Sequence, residues 1–283
     1  MKTLPRALVL AGLAVGAAVA LLSLPPLPQN PAYHHFADQR TLLGVPHCLN
    51  VISNIPFLAV GVLGLSFVLG AWPPTFLSAG TGKLESLPPR PGGPFLTAAE
   101  RWPYALFFLG VGLTAFGSAY YHLDPDNDRL LWDRLPMAVA FMGLFAAVLA
   151  ERAGLRLGLG LLGPLVAAGL ASVLYWHWTE GQGRGDLRFY YLVQFYPMLA
   201  LPLLLALFPP RYTGTAGLVA ALGWYVLAKL CEHPLDGPIY ALGHVVSGHT
   251  LKHLAAAVAA YQVLRMLRRR RPVLPAGKGV SLT

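Results

Sequence analysis

The sequence predicts an all-α, polytopic membrane helix bundle with a seven-helix core and one added N-terminal helix. Three observations carry this. Mean hydropathy is +0.55. Only 12% of residues are charged, against roughly 25% in an average soluble domain. Apolar runs near 20 residues recur along the chain, about the length that crosses the hydrocarbon of a bilayer.

Eight such segments are expected, at about 7–24, 47–71, 103–122, 132–150, 157–176, 188–208, 215–232 and 241–267. The first follows Lys2 and Arg6 and is rich in Ala, Val and Leu. Its small residues at Gly16 to Ala20 would also suit a cleaved leader. The apolar continuation Leu21-Leu22-Ser23-Leu24 favours an uncleaved helix. The connector over 72–102 is rich in Pro and Gly and reads as a flexible link, not a second domain. The expected division is an N-terminal helix within 1–30, a membrane domain over 31–267 and a basic, disordered tail over 268–283.

Lys and Arg placement orients the bundle. With eight crossings and the N-terminus in the cytoplasm, 14 of the 21 basic residues fall inside and 5 outside. Lys229 and Lys252 lie within apolar segments. The expected location is the cell membrane, multi-pass, with both termini cytoplasmic. The net charge of +9 is explained by topology and by attraction to anionic lipid, so nucleic acid is not an expected partner. Cys48 and Cys231 make neither a metal framework nor a disulfide framework.

The chemistry concentrates at a few polar positions. His249 and His253 stand four residues apart in the eighth segment. A helix puts them on one face, roughly 5–6 Å apart at Cβ. Two imidazoles so placed can close on one metal ion at about 2.0–2.1 Å each. His122 closes the third segment, with Ser118 one turn before it on the same face. Asp133 opens the fourth segment after a short loop, which makes these two helices antiparallel neighbours. In the topology above all five residues fall toward the outer face. Three His with one open position is the arrangement of a catalytic zinc site. A nearby carboxylate can move a proton, and a hydroxyl can donate to an oxyanion. The pattern points to hydrolysis of an acyl bond.

Blander readings exist for each residue alone. Ser118 can bond its own i−4 carbonyl. Asp133 suits a helix N-terminus. Lys252 can snorkel or pair with Glu232. His177, between Trp176 and Trp178, reads as an interfacial residue. His34 and His35 offer a second, weaker metal site.

Gly117-Ser118 through His122, Asp133-Arg134-Leu135-Pro136-Met137 and Gly248-His249-Thr250-Leu251-Lys252-His253 together resemble the alkaline ceramidases. That family belongs to a superfamily of seven-helix membrane hydrolases with the adiponectin-receptor and haemolysin III-like proteins. Asn50-Val51-Ile52-Ser53-Asn54 resembles the family's N-x-x-S-N at the start of its first core helix. The resemblance covers about 47–265. It implies that His122, His249 and His253 ligate Zn2+, and that Ser118 and Asp133 contact the water or the reacting carbonyl. It implies hydrolysis of the amide of a ceramide-like lipid drawn from the bilayer, and sphingolipid metabolism as the setting. The family's acidic N-terminal calcium site is not matched: Asp38 stands alone and His47 replaces an acid, which speaks against calcium, and Asp38 and Arg40 are expected to bond each other or cap a loop. The Ala-, Leu- and Pro-rich composition looks bacterial, and many bacteria make no sphingolipid, so the lipid can differ from ceramide. A non-enzymatic receptor or transporter with a structural metal is the alternative, and a haem or electron-transfer role is a third. Oligomeric state is not legible.

Overall fold

The computed structural model describes residues 3–70 and 94–273. Among these, ten α-helices follow one another: α1 (Thr3–Leu22), α2 (Cys48–Ile52), α3 (Ile55–Val68), α4 (Arg101–Leu123), α5 (Asn127–Arg152), α6 (Leu155–Gly181), α7 (Arg188–Leu207), α8 (Thr215–Glu232), α9 (Asp236–Ala241) and α10 (Gly248–Arg269). No strand occurs among the described residues; Leu42–Val45 and Tyr212–Pro272 are isolated bridges. The expected connector lies mostly outside the described residues, as does the end of the tail.

Seven helices are long and apolar enough to cross a membrane, counting α2 and α3 as one span. The eighth expected segment differs. Its helix is α10, 22 residues long, or roughly 33 Å. It is not among the seven because Lys252, Arg265, Arg268 and Arg269 and two histidines lower its apolarity. Its apolar side chains are spent inward, on Ala257, Ala260, Val263 and Leu264, which are buried in the core.

Two further differences have local causes. The second segment breaks at Ser53–Asn54. Pro56 lacks an N–H and cannot continue the ladder into α3, and Asn54 Nδ2 instead donates to the Asn50 carbonyl at 2.8 Å. The eighth segment starts later than 241, at Gly248. Ser247 caps it, its Oγ accepting the Thr250 N–H at 3.2 Å. His244 in the preceding turn has a left-handed φ of 53°.

The spans close into a ring. Around it, α3 packs on α4, α4 on α5, α5 on α7, α7 on α8, α8 on α10 and α10 back on α3. α6 lies outside against α5 and α7, and α1 against α7. α1 runs antiparallel to α7: Tyr196 donates to the Leu10 carbonyl and Arg188 to that of Leu24. One end of the bundle gathers the C-termini of α4 and α8 and the N-termini of α5 and α10. The opposite end holds a buried cluster in which Arg270 pairs with Glu151 and Tyr104 donates to Glu151 at 2.8 Å. Arg268 and Arg269 lie within α10 and Arg270 is 3% exposed. The basic stretch expected to open the tail is therefore structured up to this point.

Candidate metal centre

α4 and α5 must approach closely for Ser118 and Asp133 to meet one space. Gly117 permits it. A Cβ there would lie 2.0 Å from the Trp132 carbonyl oxygen, so any side chain would force the helices apart. Asp126 caps α5, accepting the Arg129 N–H at 2.7 Å, and shortens the turn between the helices. Gly248 does the same for α10. A Cβ there would lie 2.5 Å from the Cys231 carbonyl and 2.7 Å from that of Leu235. Asp236 then accepts the His249 N–H at 2.7 Å and the Ala37 N–H at 2.9 Å. It ties the start of α10 to α9 and to the segment before α2.

These contacts bring His122, His249 and His253 together. One nitrogen of each lies within 4.8 Å of those of the other two. Their exposures are 0%, 3% and 1%. His122 Nε2 and His253 Nε2 are 3.3 Å apart. Two nitrogens bound tetrahedrally at zinc distances would be separated by roughly 3.3–3.4 Å. The residues present thus fit a small N-binding divalent ion. No other group of three His, Cys, Asp or Glu among the described residues does so. The ion's identity is not fixed by this geometry alone, since imidazole suits several transition metals.

Hydrogen bonds orient the rings. Ser53 Oγ lies 3.1 Å from the Asn50 carbonyl and 2.8 Å from His253 Nδ1. The hydroxyl has one proton, and the carbonyl can only accept. Ser53 therefore donates to Asn50 and accepts from His253 Nδ1–H. That leaves the Nε2 lone pair directed at the centre, the arrangement an outer partner imposes on a ligating His. Asn50 Oδ1 in turn accepts from Thr250 Oγ1 at 2.7 Å. Lys252 Nζ is 3.2 Å from His249 Nε2 and 3.0 Å from Glu232 Oε1. Glu232 also pairs with Lys229 and accepts from Tyr33 at 3.1 Å. The Lys252–Glu232 pairing left open by the sequence is present. His122 Nδ1 is buried without a hydrogen-bond partner among the described residues.

Ser118 and Asp133, 2% and 4% exposed, stand beside the histidines but outside the close group. Both line, with His253, an apolar cavity of about 150 Å³ inside the ring. A second, polar cavity of about 390 Å³ shares Asp133, Lys229, Glu232 and Lys252 with it. All five expected site residues are at one end of the bundle.

Two contributors were not found in the sequence. Phe36 seals the centre, its ring 4.7 Å from His122 and 4.5 Å from His249. Nothing local marks it, because the contact spans more than 80 residues of chain. Ser53 was visible only as part of a motif. Two of the remaining histidines are engaged elsewhere. His34 bonds Tyr121 at 2.9 Å and Asn127 at 3.0 Å, and His177 bonds Asp128 at 2.9 Å. Asp38 is engaged by Arg40 at 2.7 and 2.8 Å. The guanidinium holds this carboxyl below the usual carboxylate range. Cys48 and Cys231 are both free and buried.

Comparisons with protein-family models, with curated proteins and with solved structures find no match for this chain.

Proposed function

We propose that this chain is a zinc-dependent intramembrane hydrolase of the alkaline-ceramidase type. It cleaves the amide bond of a ceramide-like or other N-acyl lipid. The observation that carries the reading is the buried three-histidine group, whose member His253 lines an apolar cavity together with Ser118 and Asp133.

Zinc held by His122, His249 and His253 would supply Lewis acidity and lower the pKa of water to about 7. The chain's own residues do the rest. Asp133 accepts the proton of the attacking water and passes it to the departing nitrogen. Ser118 donates to the oxygen of the carbonyl as negative charge builds there. A C–O bond forms and the C–N bond breaks, giving a fatty acid and an amine. The apolar cavity receives the acyl chain and excludes water from it. It reaches from His253 to Val263 along α10, roughly 15 Å of helix. Charge placement supports outward orientation of the histidine end and cytoplasmic termini.

The Lys229–Glu232–Lys252 group, half-buried lysines on a buried carboxylate, favours the alternative, a receptor or transporter with a structural metal, since ionised groups inside a bundle often mark a translocation path. One experiment separates the two. Metal content and N-acyl lipid hydrolysis are measured on detergent-purified wild type and His253→Ala. About one zinc per chain and turnover, both lost in the variant, supports the hydrolase. Bound zinc without hydrolysis of any N-acyl lipid moves the assignment to the alternative.

A further inference from the structure

Arg134 lies in the second turn of α5, beside Asp133, and is 4% exposed. Its guanidinium carbon sits 4.2 Å from the Trp176 ring centroid, 4.7 Å from that of Tyr190 and 5.6 Å from that of Tyr33. Its hydrogen bond goes to a neutral group, from Nη2 to Gln29 Oε1 at 2.7 Å. Nη1 is buried with no partner among the described residues. Two other arginines among the described residues are buried: Arg270 has a carboxylate, with its Nη2 unpartnered, and Arg152 bonds the Phe208 carbonyl and the Thr215 hydroxyl. Aromatic faces attract a guanidinium but do not accept its in-plane protons. A buried cation in this state is costly unless an anion completes it.

Arg134 lines the polar cavity. The ionic lining there is Arg134, Lys229 and Lys252 against Asp133 and Glu232. Glu232 is shared by both lysines, which leaves a surplus of one positive charge. Because Asp133 and Lys252 line both cavities, a lipid whose acyl chain fills the apolar one would place its head group in the polar one.

We propose that this polar cavity is a subsite for a carboxylate on the head group of the N-acyl lipid, with Arg134 as its primary partner. The planar fork of a guanidinium matches a carboxylate. A surplus of one charge suits a monoanion better than a phosphate, which carries about −1.5 to −2. The inference rests on the hydrolase reading for the fate of the amide, and narrows its substrate class from neutral ceramide-like lipids to N-acyl amino acids.

The test has two arms. In the first, binding to the purified wild-type chain is measured for three inert sulfonamides sharing a hexadecyl chain, with glycine, ethanolamine and phosphoethanolamine heads. The glycine compound is expected to bind at least tenfold tighter than the ethanolamine one. In Arg134→Gln that preference should fall to near one, and in Arg134→Lys it should partly return. Equal binding of the glycine and ethanolamine compounds, or tightest binding of the phosphate, in wild type overturns the proposal without depending on any variant's folding. In the second arm, kcat/KM is compared for N-palmitoylglycine and N-palmitoylethanolamine. A preference for the glycine lipid agrees with the subsite, and a preference for the neutral lipid opposes it. No hydrolysis of either, nor of ceramide assayed beside them, would remove the hydrolase reading, while the binding arm would still decide the subsite.

Discussion

Ser53 illustrates how a neutral residue controls a metal site at the residue scale. Its hydroxyl proton is committed to the Asn50 carbonyl, so its lone pair holds His253 Nδ1–H. Ser53→Ala is expected to reduce zinc affinity by about 10–100-fold, read by competition with a chelator of known affinity. Unchanged affinity would show that the ring is oriented by packing alone, for instance against Phe57 at 6.2 Å. Glu232 poses the opposite case. It is 5% exposed and is shared by two lysines. Glu232→Ala leaves both cations without a carboxylate, a loss on the order of 3 kcal/mol. A marked fall in thermal midpoint in detergent is expected, larger than for Glu232→Gln, which keeps the acceptor oxygen. Of these groups, His249, His253 and Lys252 were legible from spacing within one helix. The roles of Ser53 and Phe36 were not, since each acts on a residue more than 80 positions away.

The element scale is governed by small residues and short connections. Gly117 lets the α4 backbone meet that of α5 at Trp132. Gly117→Ala would place a methyl carbon 2.0 Å from a carbonyl oxygen, and overpacking of this kind costs roughly 1–3 kcal/mol. Because backbone must move, Ser118 and Asp133 separate. Hydrolysis should fall further than metal content, since the three histidines do not depend on that contact alone. Equal loss of both would indicate general unfolding. The segment before α2 is tied down differently, by Arg40 bonding Asp38 and the Val245 carbonyl at 2.7 Å. Asp38 has a lowered pKa because Arg40 bonds its charged form. A depressed carboxylate adds stability that is present above its unfolded pKa, near 3.9, and is lost as pH falls through its lower folded value. Acid should therefore loosen this segment, and with it Phe36. Hydrogen exchange at Phe36 and Ala37 should rise below about pH 4 in wild type, and should be raised already at neutral pH in Asp38→Asn.

The whole molecule has two polar ends and an apolar ring between them. One end carries the histidines and the Asp-rich turns, the other the Arg270–Glu151 cluster. Basic residues crowd the second end: Arg101, Arg152, Arg156, Arg211, Arg268 and Arg269 lie there. By the positive-inside tendency, the proposed orientation has the histidine end outward. Leu43, fully exposed in the turn before α2, and Pro210, exposed between α7 and α8, lie at opposite ends. A membrane-impermeant thiol reagent should label Leu43→Cys in intact cells and Pro210→Cys only after permeabilisation. The reverse pattern would invert the topology. The native cysteines are buried and should contribute little background.

Periodic apolar runs and sparse charge determined the helical membrane class, because burying a backbone in lipid admits few alternatives. Spacing within single helices paired His249 with His253 and Ser118 with His122, since a helix maps sequence distance directly onto a face. Only the tertiary structure decided the closure of His122 onto the other pair, the tautomer of His253 and the pairing of Lys252 with Glu232. It also decided that the second segment breaks at Asn54 and that α10 begins at Gly248, behind its Ser247 cap. It left Arg134 stacked among three rings with one nitrogen unmatched. These features join residues from different helices, which no local period relates, and glycines such as Gly117 and Gly248 let the backbones approach closely where they meet.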